Sequence, residues 1–85
     1  MKGTRVPDGV WPENLGEYSK HKTNKGIIWF VRPPKDGISS GSLEKHTIVE
    51  HEDGTITVSP SILFVANGQH TGWHGFLEHG VWREC

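Results

Sequence analysis

The sequence predicts a mostly β protein, a small antiparallel sheet, barrel or sandwich of five or six strands ending in two hairpins. Three observations lead there. Ile27-Ile28-Trp29-Phe30-Val31-Arg32 is a β-branched and aromatic run stopped by Pro33-Pro34, which reads as a strand. Asp53-Gly54 and His79-Gly80 are two-residue turn pairs flanked by alternating apolar and polar residues. Eleven Gly and five Pro punctuate the whole chain with turns.

In chain order, residues 1–26 are turn-rich, with Pro7-Asp8-Gly9, Pro12-Glu13-Asn14 and Asn24-Lys25-Gly26. A short helical turn fits between Asp8 and Tyr18. Val6, Val10, Trp11, Leu15 and Tyr18 are the expected anchors, and Lys20 to Lys25 reads as a polar loop tip. The unbroken apolar run from Ile27 suggests a central strand covered on both faces. Residues 35–45 are polar and small, and read as a flexible loop.

His46 to Pro60 forms the first expected hairpin. With Asp53 and Gly54 as its loop, Glu52 faces Thr55, His51 faces Ile56, Glu50 faces Thr57 and Val49 faces Val58. That register puts Val49, Ile56 and Val58 on one face and Glu50, Glu52, Thr55 and Thr57 on the other, as an antiparallel pair over a core requires. Ser61-Ile62-Leu63-Phe64-Val65 reads as a further strand ending at the Asn67-Gly68 turn. In the last hairpin Glu78 faces Val81, Leu77 faces Trp82, Phe76 faces Arg83 and Gly75 faces Glu84. Trp73, Leu77 and Trp82 then share a face with Gly75, which leaves room beside the indoles. His74, Phe76, Val81 and Arg83 lie opposite.

Eighty-five residues make one domain, 1–85, with one third apolar residues and therefore one small core. The single cysteine, Cys85, rules out a disulfide within the chain and suits a reducing, cytoplasmic setting. Self-association is the expected way to complete so thin a core, so a homo-oligomer is predicted. Nine basic and ten acidic residues, well mixed, argue against a DNA- or RNA-polymer binder, which needs a basic face. No window approaches a membrane span, and Met1-Lys2-Gly3-Thr4-Arg5 lacks the apolar segment of a signal peptide. Four Trp offer large apolar surfaces, and core filling is the expected role for most of them.

Six His raise metal binding first. His46 and His51 fall on opposite faces of one strand, and His70 and His74 would lie roughly 13 Å apart on an extended strand. No zinc spacing occurs, so no metal or cofactor is predicted. Ser59 and Ser61 have conceivable partners in His51, His74, Asp53 and Glu50, but no nucleophile elbow is present. Phosphate-loop motifs are absent, although residues 35–42 offer backbone N–H groups and Lys35.

The segment Thr71-Gly72-Trp73-His74-Gly75-Phe76 carries more promise. Gly72 and Gly75 bracket a Trp-His pair, leaving the backbone open to a planar group, and Arg32 and Arg83 supply guanidinium groups suited to phosphate or carboxylate. An aromatic face, an imidazole and an arginine together suit a nucleobase with its phosphate. The expected site is therefore Trp73 for stacking, His74 for hydrogen bonding, Arg32 or Arg83 for the anion, and Gly72 and Gly75 for access.

Gly54-Thr55-Ile56-Thr57-Val58-Ser59-Pro60-Ser61-Ile62, followed by Gly72-Trp73-His74-Gly75-Phe76-Leu77 and Gly80-Val81-Trp82, resembles an uncharacterised family of small bacteriophage proteins. The likeness covers residues 46–85. Some members carry a cysteine-rich metal segment upstream, which Val31-Arg32-Pro33-Pro34-Lys35 does not reproduce. The resemblance implies a phage accessory protein acting in the bacterial cytoplasm, of a kind that counters host immunity, for instance by sequestering a nucleotide-derived signal. The expected function is thus a non-catalytic binding protein for a small nucleotide-like ligand. The alternatives are a protein that inhibits a host defence protein through exposed aromatics, and a small metal-dependent hydrolase.

Overall fold

The computed structural model describes residues 1–65 and 72–85. They are all β, with no helix, so none is long and apolar enough to cross a membrane. Nine short strands replace the five or six expected, because several pairings last only two or three residues. They are β1 (Thr4–Arg5), β2 (Glu17–Thr23), β3 (Gly26–Val31), β4 (Gly41–Ser42), β5 (Thr47–Glu50), β6 (Ile56–Ser59), β7 (Ile62–Phe64), β8 (Trp73–Glu78) and β9 (Val81–Glu84). They form three sheets, β1-β2-β3-β4, β5-β6 and β7-β8-β9, antiparallel except for β1 against β2. Among the described residues no barrel closes. The Asn67-Gly68 turn lies outside them.

The N-terminal third is more regular than its turn signals suggested. The stretch expected as a loop tip is instead the end of β2, whose hairpin with β3 turns at Asn24-Lys25 with Thr23 opposite Gly26. Pairing with an apolar strand overrides the polar composition of Lys20 to Thr23, as tertiary context overrides strand propensity generally. The helical turn between Asp8 and Tyr18 does not form. Of the expected anchors, Tyr18 is in the core, whereas Val10 and Trp11 are exposed.

β3 is central by hydrogen bonding, lying between β2 and β4, but only its inner face is fully covered. Trp29 and Val31 are buried, Ile28 and Phe30 are half-buried, and Ile27 at the strand's start is exposed. Residues 35–45 are anchored, since Ile38 and Leu43 are buried and Gly41–Ser42 pairs with β3. These two apolar side chains supply core that a solvated connection would not.

The β5-β6 hairpin forms one residue out of the expected register. Ile48 faces Val58, Val49 faces Thr57 and Glu50 faces Ile56. The loop has three residues, not two: the Gly54 N–H donates to His51 O at 3.0 Å, the His51 N–H donates to Thr55 O at 2.8 Å, and Gly54 has φ +87°. This is a turn followed by a left-handed glycine. Asp53 stabilises it by accepting from the Thr55 N–H at 3.0 Å and the Thr55 hydroxyl at 2.6 Å. The slip turns Ile48 toward the core and leaves Val49 exposed. Glu50 joins the face of Ile56, where Arg5 Nη1 at 2.7 Å and Lys20 Nζ at 3.1 Å pair with its carboxylate. Arg5 Nη1 also donates to Gly54 O at 3.0 Å, tying the ribbon to β1.

The β8-β9 hairpin has the expected register throughout, from Gly75–Glu84 to Glu78–Val81, and turns at His79 (φ +47°) and Gly80 (φ +75°). Trp73, Leu77 and Trp82 are buried on one face, with His74, Val81 and Arg83 exposed on the other. β7 pairs with β8 as Leu63–His74. Met1 to Gly3 runs along β9, with the Gly3 N–H donating to Gly80 O at 2.7 Å and the Trp82 N–H to Met1 O at 2.8 Å.

Two tests follow from this packing. A Cβ on Gly75 would lie 2.5 Å from the Trp73 ring and would meet Arg83 backbone that cannot move aside. Gly75→Ala should cost at least about 1–3 kcal/mol in urea unfolding. The Glu50 carboxyl is held below its ordinary value, first by the Arg5 hydrogen bond and then by that from Lys20. Its contribution is therefore present above the unfolded-state value and is lost as pH falls through the lowered folded-state value. Glu50→Gln should cost less than about 1 kcal/mol at pH 7, because the pair is solvent-screened, and nothing once wild-type Glu50 is protonated. Urea midpoints of both proteins across the acid range would show the difference closing.

Candidate functional site

β8 projects successive side chains to opposite sides of its sheet, so adjacent Trp73 and His74 cannot present one continuous surface. The Trp73 indole faces inward, is 4% exposed, and meets Trp82 edge-on with ring centroids 5.3 Å apart. His74 faces outward, and its Nε2 lies 2.8 Å from Ser61 Oγ. Gly75, in the predicted access role, is buried against the indole and the β9 backbone. Its missing side chain makes room for packing.

The two arginines separate. Arg32 follows β3 and donates through Nε to Ile38 O at 3.2 Å and through Nη1 to Glu13 O. These bonds tie two loops to β3 and engage the guanidinium with backbone carbonyls. Arg83 stays on the outer face of β9, with Cζ 4.6 Å from the centre of the Phe76 ring and Nη2 2.9 Å from Glu78 Oε1. The structure thus brings His74 and Arg83 to one face, with Phe76 two residues from His74 and opposite Arg83. Phe76 lies outside the expected contact set but shares this face by strand alternation.

At one end of the sheet a hollow of about 390 Å³ is lined by Gly72, Trp73, His74, Leu63, Phe64 and Lys35, with Glu84 and Cys85. Lys35 Nζ lies 3.0 Å from Gly72 O, so the 35–42 segment does deliver its cation beside the Trp-His element. His74 and Leu63 belong both to this hollow and to the outer face carrying Phe76 and Arg83. The lining offers an imidazole and an ammonium group, with Glu84 as a countercharge.

Ser61 and His74 also form a hydroxyl–imidazole pair, the minimal geometry for activating a serine. Among the described residues no carboxylate pairs with His74, and no group of three metal-ligating side chains converges. His70, paired with His74 in the sequence reading, lies outside the described residues, as does Thr71. His51 and His79, which the sequence left apart, stack with centroids 3.8 Å apart and planes 9° from parallel. Their meeting depends on how the two hairpin turns pack, which local sequence does not signal.

The chain matches no protein-family model, no curated protein and no solved structure.

The contrast between the arginines is measurable. Arg32→Met should destabilise by about 1–3 kcal/mol, since it strips charged donors from two backbone carbonyls. Arg83→Met should stay within about 0.5 kcal/mol, because its side chain and that of Glu78 are both well solvated. Thermal or urea unfolding of the two variants would check the ordering.

Proposed function

We propose that this protein is a non-catalytic binding protein for a small, planar, anionic ligand of the nucleotide class. The observation that carries the reading is the hollow that gathers Gly72, Trp73 and His74 with Lys35. His74 serves as the hydrogen-bonding group and Lys35 as the partner of the phosphate. Phe64 and the backbone around Trp73 bound the hollow, and the inward-facing Trp73 indole offers no stacking face. Arg83 on Phe76 extends the cationic surface beyond His74. Glu84 favours a ligand oriented with hydrogen-bond donors on its base edge and the phosphate toward Lys35.

In the setting implied by the resemblance to small phage proteins, the ligand is a nucleotide-derived signal of host immunity, held without turnover in the bacterial cytoplasm. The hollow is open to solvent, and a second copy of the chain would be the natural means of closing it, in keeping with the homo-oligomer expected for so small a core.

A second reading is favoured by exposed apolar side chains near the same place. Leu63 is 61% exposed and Val65 71%, an arrangement suited to a protein partner. In that reading the β7-β8-β9 face blocks a host protein.

Calorimetric titration with mononucleotides and cyclic oligonucleotides separates the two. Wild type should bind at least one member of the panel, with His74→Ala and Lys35→Ala each weakening it roughly tenfold, the effect of losing one charge-assisted or buried hydrogen bond. His74→Ala should retain its melting temperature, because the side chain is exposed. A panel that does not bind, or that binds both variants unchanged, rejects the site. Nucleotide turnover that needs an added divalent metal ion would favour the metal-dependent hydrolase alternative instead.

A further inference from the structure

Another hollow opens where β1 meets the turns of the β5-β6 and β8-β9 hairpins. Its volume is about 670 Å³, within the usual range for small-molecule sites, and it shares no lining residue with the hollow beside His74. Tyr18 is part of its wall, although the residue is only 1% exposed. The ring belongs to the core, but the hydroxyl has no hydrogen-bond partner among the described residues and keeps some accessible surface. That oxygen sits beside Thr55: a Cβ on Gly80 would fall 2.9 Å from it and 2.9 Å from the Thr55 methyl. It also feels the charges of Arg5 and Asp53. Thr55, Arg5 and Asp53 all line the hollow, so the hydroxyl is reached from there. Burial raises the Tyr18 pKa above its ordinary value, so the group keeps its proton at neutral pH and can both donate and accept. A core tyrosine hydroxyl ordinarily finds a partner, and here the hollow is the place from which one can come.

We infer that this hollow binds a free α-amino acid, with its carboxylate on Lys2 and the Tyr18 hydroxyl and its ammonium group on Asp53. The charges on the wall set that class. The Arg5 guanidinium is already engaged by Asp8, Glu50 and the Gly54 carbonyl. Lys2 and Asp53 line the hollow as well, and neither forms an ion pair among the described residues. Asp53 Oδ1 accepts both Thr55 bonds, which leaves Oδ2 for a ligand. One cation and one carboxylate without partners suit a zwitterion, and Asp53 disfavours a nucleotide or other polyanion. An α-amino acid carries both charges on a small frame, and the volume leaves room for its side chain. His79, held by its stack on His51, adds an imidazole to that part of the lining.

The test is an NMR titration of the full-length protein with a panel of free α-amino acids. The tightest binder is then compared with its N-acetyl derivative, which lacks the ammonium group, and its primary amide, which lacks the carboxylate. Each derivative should bind about tenfold more weakly than the parent, the worth of one charge-assisted hydrogen bond. Asp53→Asn keeps an acceptor for Thr55 and should remove the discrimination against the N-acetyl form. Lys2→Gln, at an exposed position, should remove that against the amide. Tyr18→Phe should weaken the parent about tenfold without lowering the melting temperature, because the hydroxyl bonds to nothing within the fold. If Tyr18→Phe does not fold, the Asp53 and Lys2 variants decide the matter. A panel that does not bind, derivatives that bind as tightly as the parent, or folded variants that bind as wild type does would each overturn the assignment.

Discussion

The Trp82 indole is the contact on which the rest of this small fold depends. It is 2% exposed, donates from Nε1 to Gly16 O at 2.9 Å, and packs edge-on against Trp73. Through that one bond the third sheet is joined to the turn that leads into β2. The N-terminal segment makes a second connection to the same hairpin, because Met1 O accepts from the Trp82 N–H and the Gly3 N–H donates to Gly80 O. Gly3 allows the close approach, since a Cβ there would fall 2.9 Å from Trp82 Nε1. An indole is suited to this position because it brings a large apolar area and a single donor, which the Gly16 carbonyl fully satisfies.

Among the described residues the β5-β6 ribbon has no third strand to hold it. Two-stranded ribbons are marginal in water without such support. Its support comes from the side: Arg5 reaches Glu50 and Gly54, Lys20 reaches Glu50, and the Gly80 N–H donates to Ile56 O at 3.0 Å. Ile56 and Val58 anchor its inner face in the core. Burial supplies the stability, while the ion pairs, being partly exposed, contribute mainly to orientation. Seating this ribbon against β8 brings Thr57 Oγ1 within 2.7 Å of His51 Nε2 and within 3.0 Å of the His79 N–H, and so stacks the two imidazoles.

The same seating explains the position of Ser61. It stands between β6 and β7, where its carbonyl meets His46 and its hydroxyl meets His74. The Ser-Pro-Ser-Ile and Trp-His-Gly segments, distant in sequence, touch at this residue. His74 is thereby oriented by a hydroxyl while its ring remains exposed to solvent. Trp73 and Gly75, its chain neighbours, are committed to packing. Alternation along a strand divides structural from accessible residues at every second position, and the Trp-His element divides in that way.

Local chemistry alone determined the β8-β9 ribbon. His79 and Gly80 accept left-handed backbone, and the apolar–polar alternation on both sides leaves one register that buries Leu77 with Trp82. The exposed placement of His74 and Arg83 follows from the same pattern, so half of the candidate contact surface was legible in sequence. The β5-β6 register was not, because Asp-Gly serves a three-residue loop as readily as a two-residue one. Asp53 bonding to Thr55, and Arg5 and Lys20 waiting for Glu50, selected between them. Arg32 bonding to the Ile38 and Glu13 carbonyls, Lys35 arriving beside Gly72 and Ile38 entering the core were likewise tertiary decisions. Turn geometry and side-chain alternation act over a few residues, and sequence records them directly. Which distant carbonyl or carboxylate a cation meets depends on how the sheets pack, which only the folded chain specifies.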